Sequence, residues 1–251
     1  SPTTSFTLTP RILRRDYGDE DFDATEEFLD MRFDRRWQSS RFRFRGQYSS
    51  ELVRTAERVD PDFDIEDPTE IPDDASGRVG IRDERERIDV RPWYTYDISN
   101  EATLGFRLQY TDVSYEEKLA GLLNDYTNLR GNIDFSRQWS QRNTVLFGVT
   151  YRTYEAEGSD AVSGYGVSGG IERLLSEKST LRIMAGLENT ETADGESEVD
   201  PVGEITHLRQ LETTRLLAQY WHVVSGGGSG NLSTRHIINI NFTRDLTERV
   251  S

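Results

Sequence analysis

Long stretches of the chain alternate between apolar and charged or polar side chains at every second residue. In the segment IDVRPWYTYDI, residues 88–98, one phase is mostly aliphatic and aromatic, and the other holds Asp, Arg and Thr. The pattern recurs around residues 41–48, 104–111, 129–136, 145–152, 181–188 and 235–246. Because successive side chains of a β-strand point to opposite faces, this period predicts strands with one apolar and one charged face. The chain is therefore predicted to be all-β.

A turn motif recurs along the chain and divides it into hairpins. Each copy has a large apolar residue, a few polar residues and then the start of a new strand, as in ISNEATL, WSQRNTV and LSEKSTL. Copies begin at Ile98, Trp139, Leu175, Leu211 and Leu246, with spacings of 41, 36, 36 and 35 residues. A repeat of this length holds two strands, one short turn and one longer loop. Short turns are therefore predicted at one end of the sheet and longer loops at the other.

Composition excludes several other classes of protein. The chain has 251 residues, 30 Lys and Arg against 45 Asp and Glu, a formal net charge of −15, and no Cys. The longest uncharged stretch, residues 216–234, contains Gln219, His222 and a Ser/Gly run, so no segment supplies the ~20 apolar residues of a spanning helix. The absence of Cys excludes disulfides and thiolate metal sites. Acidic residues concentrate in 59–74, 155–160 and 191–204, which are predicted to be loops.

The charged phase limits the possible sheet architectures. If it faces outward, the interior is apolar, as in a soluble sandwich or barrel; if it faces inward, the lumen holds water and the apolar face meets lipid, as in an outer-membrane barrel. Unpaired ions buried without water cost several kcal/mol each, so solvent must reach this face. The arginines of the charged phase, which are predicted to line the pore, are Arg32, Arg36, Arg41, Arg43, Arg45, Arg91, Arg107, Arg130, Arg152, Arg182, Arg215 and Arg235. Its predicted carboxylates are Asp30, Asp34, Asp89, Asp97, Asp134, Glu172 and Glu188.

Three features favour the membrane barrel. Strands of about 11 to 14 residues exceed the ~5–6 residues common in globular sheets and suit a ~25 Å apolar band. Short turns and longer loops also lie at opposite ends, as in such barrels. Aromatic residues near strand ends are expected to form interfacial girdles: Trp37, Tyr96, Trp139 and Phe242 towards the short turns, and Tyr48, Tyr115, Tyr126, Tyr151, Tyr154 and Tyr165 towards the loops. Three arginines fall in the apolar phase but lie close enough to a turn for their side chains to reach the membrane–water interface: Arg137, Arg173 and Arg244.

The chain resembles the beta-barrel porin type 2 family of Gram-negative bacteria. The resemblance lies in the turns LSEKSTL, LETTRL and LTERVS, in the hairpin YWHVVSGGGSGNLSTRHIINI and in the arginine-rich strands. The resemblance covers the chain well from about Asp83 to the end and loosely before it. It implies an association with exopolysaccharide operons and passage of a polymer or solute through the outer membrane. It implies no defined site residues.

The predicted fold is a transmembrane antiparallel up-and-down β-barrel with short periplasmic turns and longer acidic outer loops. Residues 1–251 are expected to form one barrel domain, with residues 57–82 as a long acidic extracellular loop. About twelve strands are predicted, at roughly residues 5–16, 25–37, 41–55, 83–97, 103–115, 125–138, 144–156, 163–175, 180–191, 204–211, 214–224 and 232–246. The tenth has the weakest pattern. The chain ends without the terminal aromatic residue usual in these barrels, so we expect a longer complete protein, with 14 to 16 strands as the alternative.

The sequence predicts an outer-membrane porin or channel, for exopolysaccharide export or for anionic solutes attracted by an arginine-lined lumen. Arginines that merely pair with carboxylates across the wall are the plainer interpretation. Two other classes stay open: a non-conducting outer-membrane barrel that presents acidic loops to a partner, and a soluble β-protein. Expected partners are outer-membrane lipid and lipopolysaccharide, with a polysaccharide or a periplasmic export protein, and no nucleic acid.

The sequence predicts no enzyme, no cofactor and no metal site. The three histidines, His207, His222 and His236, form no Ser, His and carboxylate grouping with recognisable spacing, although His222 and His236 are expected to face each other across the last hairpin. The acidic stretch 57–74 offers oxygen ligands of the kind that Ca²⁺ prefers, but it lacks a D-x-D-x-D-G motif.

Overall fold

The computed structural model describes residues 3–15, 24–53, 83–116, 124–192, 195, 197–226 and 232–244. These residues form twelve β-strands: β1 (Thr3–Arg15), β2 (Ala24–Arg36), β3 (Ser40–Val53), β4 (Asp83–Ser99), β5 (Ala102–Tyr115), β6 (Tyr126–Ser140), β7 (Asn143–Ala156), β8 (Val162–Ser176), β9 (Ser179–Thr192), β10 (Ser197–Gln210), β11 (Thr214–Gly226) and β12 (Leu232–Arg244). Within the described ranges, no helix is long and apolar enough to cross a membrane. The predicted acidic loop at 57–82 lies outside the described residues.

The strands form one antiparallel sheet in which each strand pairs with its neighbours in sequence, in the order β1 to β12. Tight turns join β2 to β3, β4 to β5, β6 to β7, β8 to β9 and β10 to β11 at one end, which we call the short-turn end. The other connections leave from the opposite, long-loop end. Within the described residues, β1 and β12 are the edge strands. The predicted all-β, up-and-down meander of about twelve strands is confirmed.

The repeated turn motif is a β-bulge followed by a turn that a serine stabilises. Strand pairing shifts by one residue just before three of the turns, which leaves one bulged residue in each: Ile98, Trp139 and Leu175. The serine after each bulged residue accepts a hydrogen bond at Oγ from the backbone N–H two residues later. These bonds, at Ser99, Ser140 and Ser176, measure 3.2, 3.4 and 3.3 Å. Local side-chain bonds of this kind favour turns over continued strand, so the motif has a structural cause.

The pairing register assigns the strand side chains to two faces, because directly paired residues of neighbouring strands point the same way. All twelve predicted arginines and all seven predicted carboxylates share one face, which we call the polar face. The opposite, apolar face carries most of the exposed large hydrophobic side chains, among them Leu108, Val149 and Ile240. The alternation therefore marks the two faces as predicted.

The polar face is the concave side of a curled sheet. Glu204 on β10 lies within electrostatic range of Arg107 on β5 and Asp134 on β6, which are five and four strands away. Glycines permit close backbone approach on this face: a Cβ added at Gly170 would lie 2.2 Å from a carbonyl oxygen of β9, and one at Gly186 would lie 2.3 Å from a carbonyl oxygen of β8. Glycine in a strand is typical of such bends.

The tenth strand is longer than predicted. The sequence indicated residues 204–211, preceded by an acidic loop, but β10 begins at Ser197 and pairs with β9 along almost its whole length. Pro201 and nearby acidic residues hide its alternation. Asp200 lies on the polar face directly opposite Glu188, where the sheet tolerates charge. The interpretation of residues 191–204 as one loop is therefore wrong for most of that segment.

Three tyrosines predicted for an interfacial girdle belong instead to the polar face. Tyr115, Tyr126 and Tyr154 are almost fully buried and form a cluster with Val113 and Ala156. The rings of Tyr126 and Tyr154 lie 5.8 Å apart between centroids. Their position near strand ends suggested a girdle, but their phase is that of the charged residues. The odd or even position of a residue along its strand predicted its face better than its distance from the strand end did.

Other predicted interfacial residues do lie on the apolar face. Tyr151, Tyr165 and Trp139 are exposed there, and Trp139 is 79% exposed at the short-turn end. Arg137 and Arg173 are also exposed on this face, close to the short turns. A guanidinium near a strand end can reach water while its stem stays on apolar surface.

Candidate functional site

Five arginines and one glutamine form a row that crosses the polar face from β2 to β7. Its members, which we call the arginine row, are Arg32, Arg45, Arg91, Gln109, Arg130 and Arg152, one from each strand in order. Arg32 pairs directly with Arg45, Arg45 with Arg91, and Arg130 with Arg152. Like charges directly opposite each other in a sheet are destabilising, so this row requires nearby counter-charge or water.

Carboxylates flank the row at both of its ends. At β2, Asp30 accepts a hydrogen bond from Arg32 Nε at 2.9 Å, and its other oxygen lies 3.6 Å from Arg45 Nε. At β7, Arg152 Nη2 lies 3.2 Å from Glu188 Oε1, with both side chains almost fully buried. A buried ion pair persists only when pairing and hydrogen bonds offset desolvation. The row is therefore held by paired charges rather than left bare.

Asp89 is the carboxylate at the middle of the row. Its Oδ1 lies 2.5 Å from Arg91 Nε, and its Oδ2 lies 3.4 Å from Arg87 Nη2. Thr111 donates its hydroxyl to Asp89 Oδ2 at 2.9 Å. One buried carboxylate thus serves two guanidinium groups and one hydroxyl, which fixes the orientation of Arg91.

A second charged group lies one step towards the short-turn end. Arg43 stacks on Trp93, with its Cζ 3.3 Å from the ring centroid, and Arg107 lies on the same indole at 5.0 Å. Arg107 also bonds to Asp134 at 3.2 Å. Cation–π contacts of this kind orient a guanidinium without neutralising it.

The remaining predicted arginines lie elsewhere on the polar face. Arg36 and Arg41 are next to the short-turn end, and Arg41 pairs with Asp34. Arg182 on β9 pairs with Glu204 at 3.3 Å. Arg215 and Arg235 lie on β11 and β12. Several of the twelve arginines therefore pair with carboxylates of neighbouring strands.

A cavity of about 100 Å³ opens on the polar face between β5 and β11. Arg107, Arg130 and Asp134 line one wall, and Arg182, Glu188 and Glu204 line the other; Trp221 and several glycines complete the lining. Charged side chains from β5, β6, β9 and β10 therefore meet around one opening.

Sequence analysis missed several residues of this interior. Arg85 and Arg87 share the phase of Arg91, so alternation alone could have placed them on the polar face. Glu204 was hidden by the weak pattern of the tenth strand. Trp221, which is 0% exposed, lies directly opposite it on β11. No sequence signal indicated that the glycines of β8 and β9 would admit neighbouring side chains.

No family model and no curated protein matches the chain. Among solved structures, it is similar to the toluene transporter TodX of Pseudomonas putida, with 9% identity, a TM-score of 0.47, and coverage of 98% of this chain and 78% of that chain. It is also similar to OmpT, an outer membrane protein of Vibrio cholerae, with 9% identity, a TM-score of 0.40, and coverage of 96% and 95%.

The translocator domain of the autotransporter NalP from Neisseria meningitidis is a further similar structure, with 10% identity, a TM-score of 0.44, and coverage of 97% and 88%. OmpT is an outer membrane protein, which is the localisation predicted for this chain from its sequence. The predicted all-β fold class is confirmed by the twelve-stranded antiparallel meander itself. The resemblance to the beta-barrel porin type 2 family itself is not confirmed by any family match.

One prediction needs correction. The sequence predicts no enzyme because its histidines show no recognisable triad spacing. A triad is recognised by its geometry rather than by spacing along the chain, and a fold does not decide which chemistry its sites perform. The exclusion of enzymatic activity is therefore wrong as drawn.

Proposed function

We propose that the chain is an outer-membrane β-barrel channel whose polar face lines a lumen that conducts anionic solutes. In this arrangement the apolar face meets lipid, the short turns face the periplasm and the long loops face the exterior. The proposed pore-lining residues are the twelve predicted arginines. The observation that carries the proposal is the arginine row, which runs across six consecutive strands on the concave face.

The apolar face supports the membrane part of the proposal. Strands of 13 to 17 residues at ~3.3 Å per residue exceed the ~25 Å apolar band of such barrels even when tilted by ~40°. Leu108, Val149 and Val167 are exposed near the middle of their strands. Trp139 and Arg173 are exposed beside the short turns, at the depth expected of an interface.

The chemistry of the row supports the choice of anions. A guanidinium presents a planar fork that binds carboxylate or phosphate with two hydrogen bonds. Rings of Arg in a pore attract negative charge. Asp30, Asp89 and Glu188 offset part of the positive charge, so the expected effect is a preference for anions rather than tight binding. Acidic exopolysaccharide is one such cargo, with lipopolysaccharide around the barrel and a periplasmic export protein as proposed partners.

A second candidate is a non-conducting barrel that presents its loops to a partner. Burial within the polar face favours it: Arg152, Glu188 and Trp221 are 3%, 2% and 0% exposed. In this arrangement the side chains themselves close the lumen.

Single-channel recording in planar bilayers tests both candidates. Under a salt gradient, the wild-type protein is expected to conduct with a reversal potential that indicates anion preference. Arg45→Gln and Arg130→Gln, which alter the arginine row, are expected to reduce that preference. Arg173→Gln, on the apolar face, is the matched control and should leave it unchanged. Insertion without conductance would favour the second candidate, and conductance without anion preference would overturn the role of the row.

A further inference from the structure

On the apolar face, the last hairpin brings two histidines and a tyrosine together. His222 of β11 and His236 of β12 are a directly opposed pair. Their Nδ1 atoms lie 3.2 Å apart, and their ring centroids lie 4.5 Å apart. The hydroxyl oxygen of Tyr220 lies 2.8 Å from Nδ1 of His236. Nδ1 of His236 therefore has two other atoms that can carry a lone pair within 3.2 Å.

Hydrogen bonds among these groups cannot satisfy all of the contacts at once. An imidazole nitrogen in a neutral ring is either a donor or an acceptor, with one hydrogen-bonding direction in the ring plane. Nδ1 of His236 faces both Nδ1 of His222 and the Tyr220 hydroxyl, so it can serve only one of them well. A cation that accepts electron pairs from all three atoms would remove this competition.

The spacing of the two nitrogens suits a metal ion. Zinc is bound by imidazole at ~2.0–2.1 Å in tetrahedral geometry, which places ligand atoms ~3.3–3.4 Å apart. The separation of 3.2 Å between the two Nδ1 atoms is close to that edge length. Imidazole nitrogen suits zinc, copper and nickel, whereas magnesium and calcium prefer oxygen.

We propose that His222 and His236, with the Tyr220 hydroxyl as a third donor, bind a divalent transition-metal ion of the zinc, copper or nickel kind. The site lies four residues inside each end of the last loop, and His236 is exposed. A bound ion links β11 to β12 through side chains, in addition to the backbone ladder. This inference does not depend on conduction through the lumen.

The third histidine supplies the matched control. His207 lies on the same face near the short-turn end of β10, with its Nε2 2.9 Å from the Ser179 hydroxyl. The chain has three histidines in all. His207→Ala therefore removes an imidazole from the apolar face and leaves the proposed ligands intact.

The test is a Zn²⁺ titration by calorimetry on detergent-folded protein that carries no polyhistidine tag. One ion is expected to bind each wild-type or His207→Ala chain. His222→Ala and His236→Ala should each weaken binding by at least about tenfold, since loss of an outer-shell partner alone costs ~10–100-fold. Tyr220→Phe should weaken it less. Absence of binding by the wild-type, unchanged affinity in both ligand variants, or an equal loss in His207→Ala would overturn the site.

Cu²⁺ provides a spectroscopic check of the ligand set. Electron paramagnetic resonance should show hyperfine coupling to two nitrogens in the wild-type protein and to one in each single variant. Folding of every variant is checked by circular dichroism. If an alanine variant does not fold, His222→Phe and His236→Phe keep an aromatic ring in place without a ligand nitrogen. Two coupled nitrogens in either of these variants would contradict the assignment.

Discussion

Arg152 and Glu188 form a buried ion pair although their strands, β7 and β9, are not neighbours in the sheet. Arg152 Nη2 lies 3.2 Å from Glu188 Oε1 across the intervening strand β8. The residues of β8 paired with them are Gly164 and Gly166, which have no side chains to separate the two charges. A Cβ at Gly164 would lie 3.8 Å from Glu188 Oε1 and 3.1 Å from a carbonyl oxygen. Glycine on β8 therefore permits contact between alternate strands.

Glu188→Ala is expected to destabilise the protein by ~3–5 kcal/mol, because it removes the carboxylate partner of a buried guanidinium. Unfolding by urea in lipid vesicles measures this change. Lys178→Ala, which removes an exposed ion pair with Glu212 at 3.8 Å, is the control and should cost ~0–1 kcal/mol. The double variant Arg152→Met, Glu188→Met should be more stable than Glu188→Ala. Equal stability of these two variants would contradict a dominant ion-pair effect.

Gly170→Ala is expected to reduce folding strongly. The new Cβ would lie 2.2 Å from the carbonyl oxygen of Ile183, and that backbone has to move. Overpacking of this kind costs ~1–3 kcal/mol or more. Gly131→Ala is the matched control on the apolar face, where the nearest atom lies 3.8 Å away, and it should fold as well as the wild-type. The measurement is the folded fraction after refolding into detergent; a normal yield for Gly170→Ala would refute the close approach.

An arginine at mid-strand on the apolar face separates a membrane protein from a soluble one. Val149 is exposed near the middle of β7, so Val149→Arg should cost ~2–4 kcal/mol in a bilayer. Trp139→Arg, at the short-turn end, should lower the free energy of unfolding by only ~0–1 kcal/mol because of its depth in the bilayer. The loss of the indole contacts is a separate cost. Unfolding free energies in vesicles give both values. If Val149→Arg has no cost, lipid does not cover this face.

Tryptophan fluorescence tests the assignment of faces independently. The chain has four tryptophans, so single-tryptophan variants are accessible. A variant that keeps Trp139, on the apolar face, should be quenched by brominated lipid. One that keeps Trp221, fully buried on the polar face, should be quenched much less. Equal quenching of the two would mean that the faces are assigned wrongly or that lipid does not surround the sheet.

The turn motif could be predicted well from the sequence because its cause is local. Ser99, Ser140 and Ser176 each bond to a backbone N–H only two residues away. Such contacts recur wherever the short motif recurs. The girdle tyrosines show the opposite case: Tyr126 was assigned by its nearness to a loop, although its side-chain phase placed it with the charged residues.

Which side chains share a face was determined by the sequence alone, since side chains alternate with a period of two in any strand. Which side chains meet was decided only by the tertiary structure. A slip of two residues between neighbouring strands keeps every apolar residue on the apolar face, so alternation cannot show that Arg45 lies between Arg32 and Arg91. The contact of Arg152 with Glu188 depends further on two strand registers and on the curl of the sheet. Both arise from packing among strands far apart in the chain, which no local pattern records.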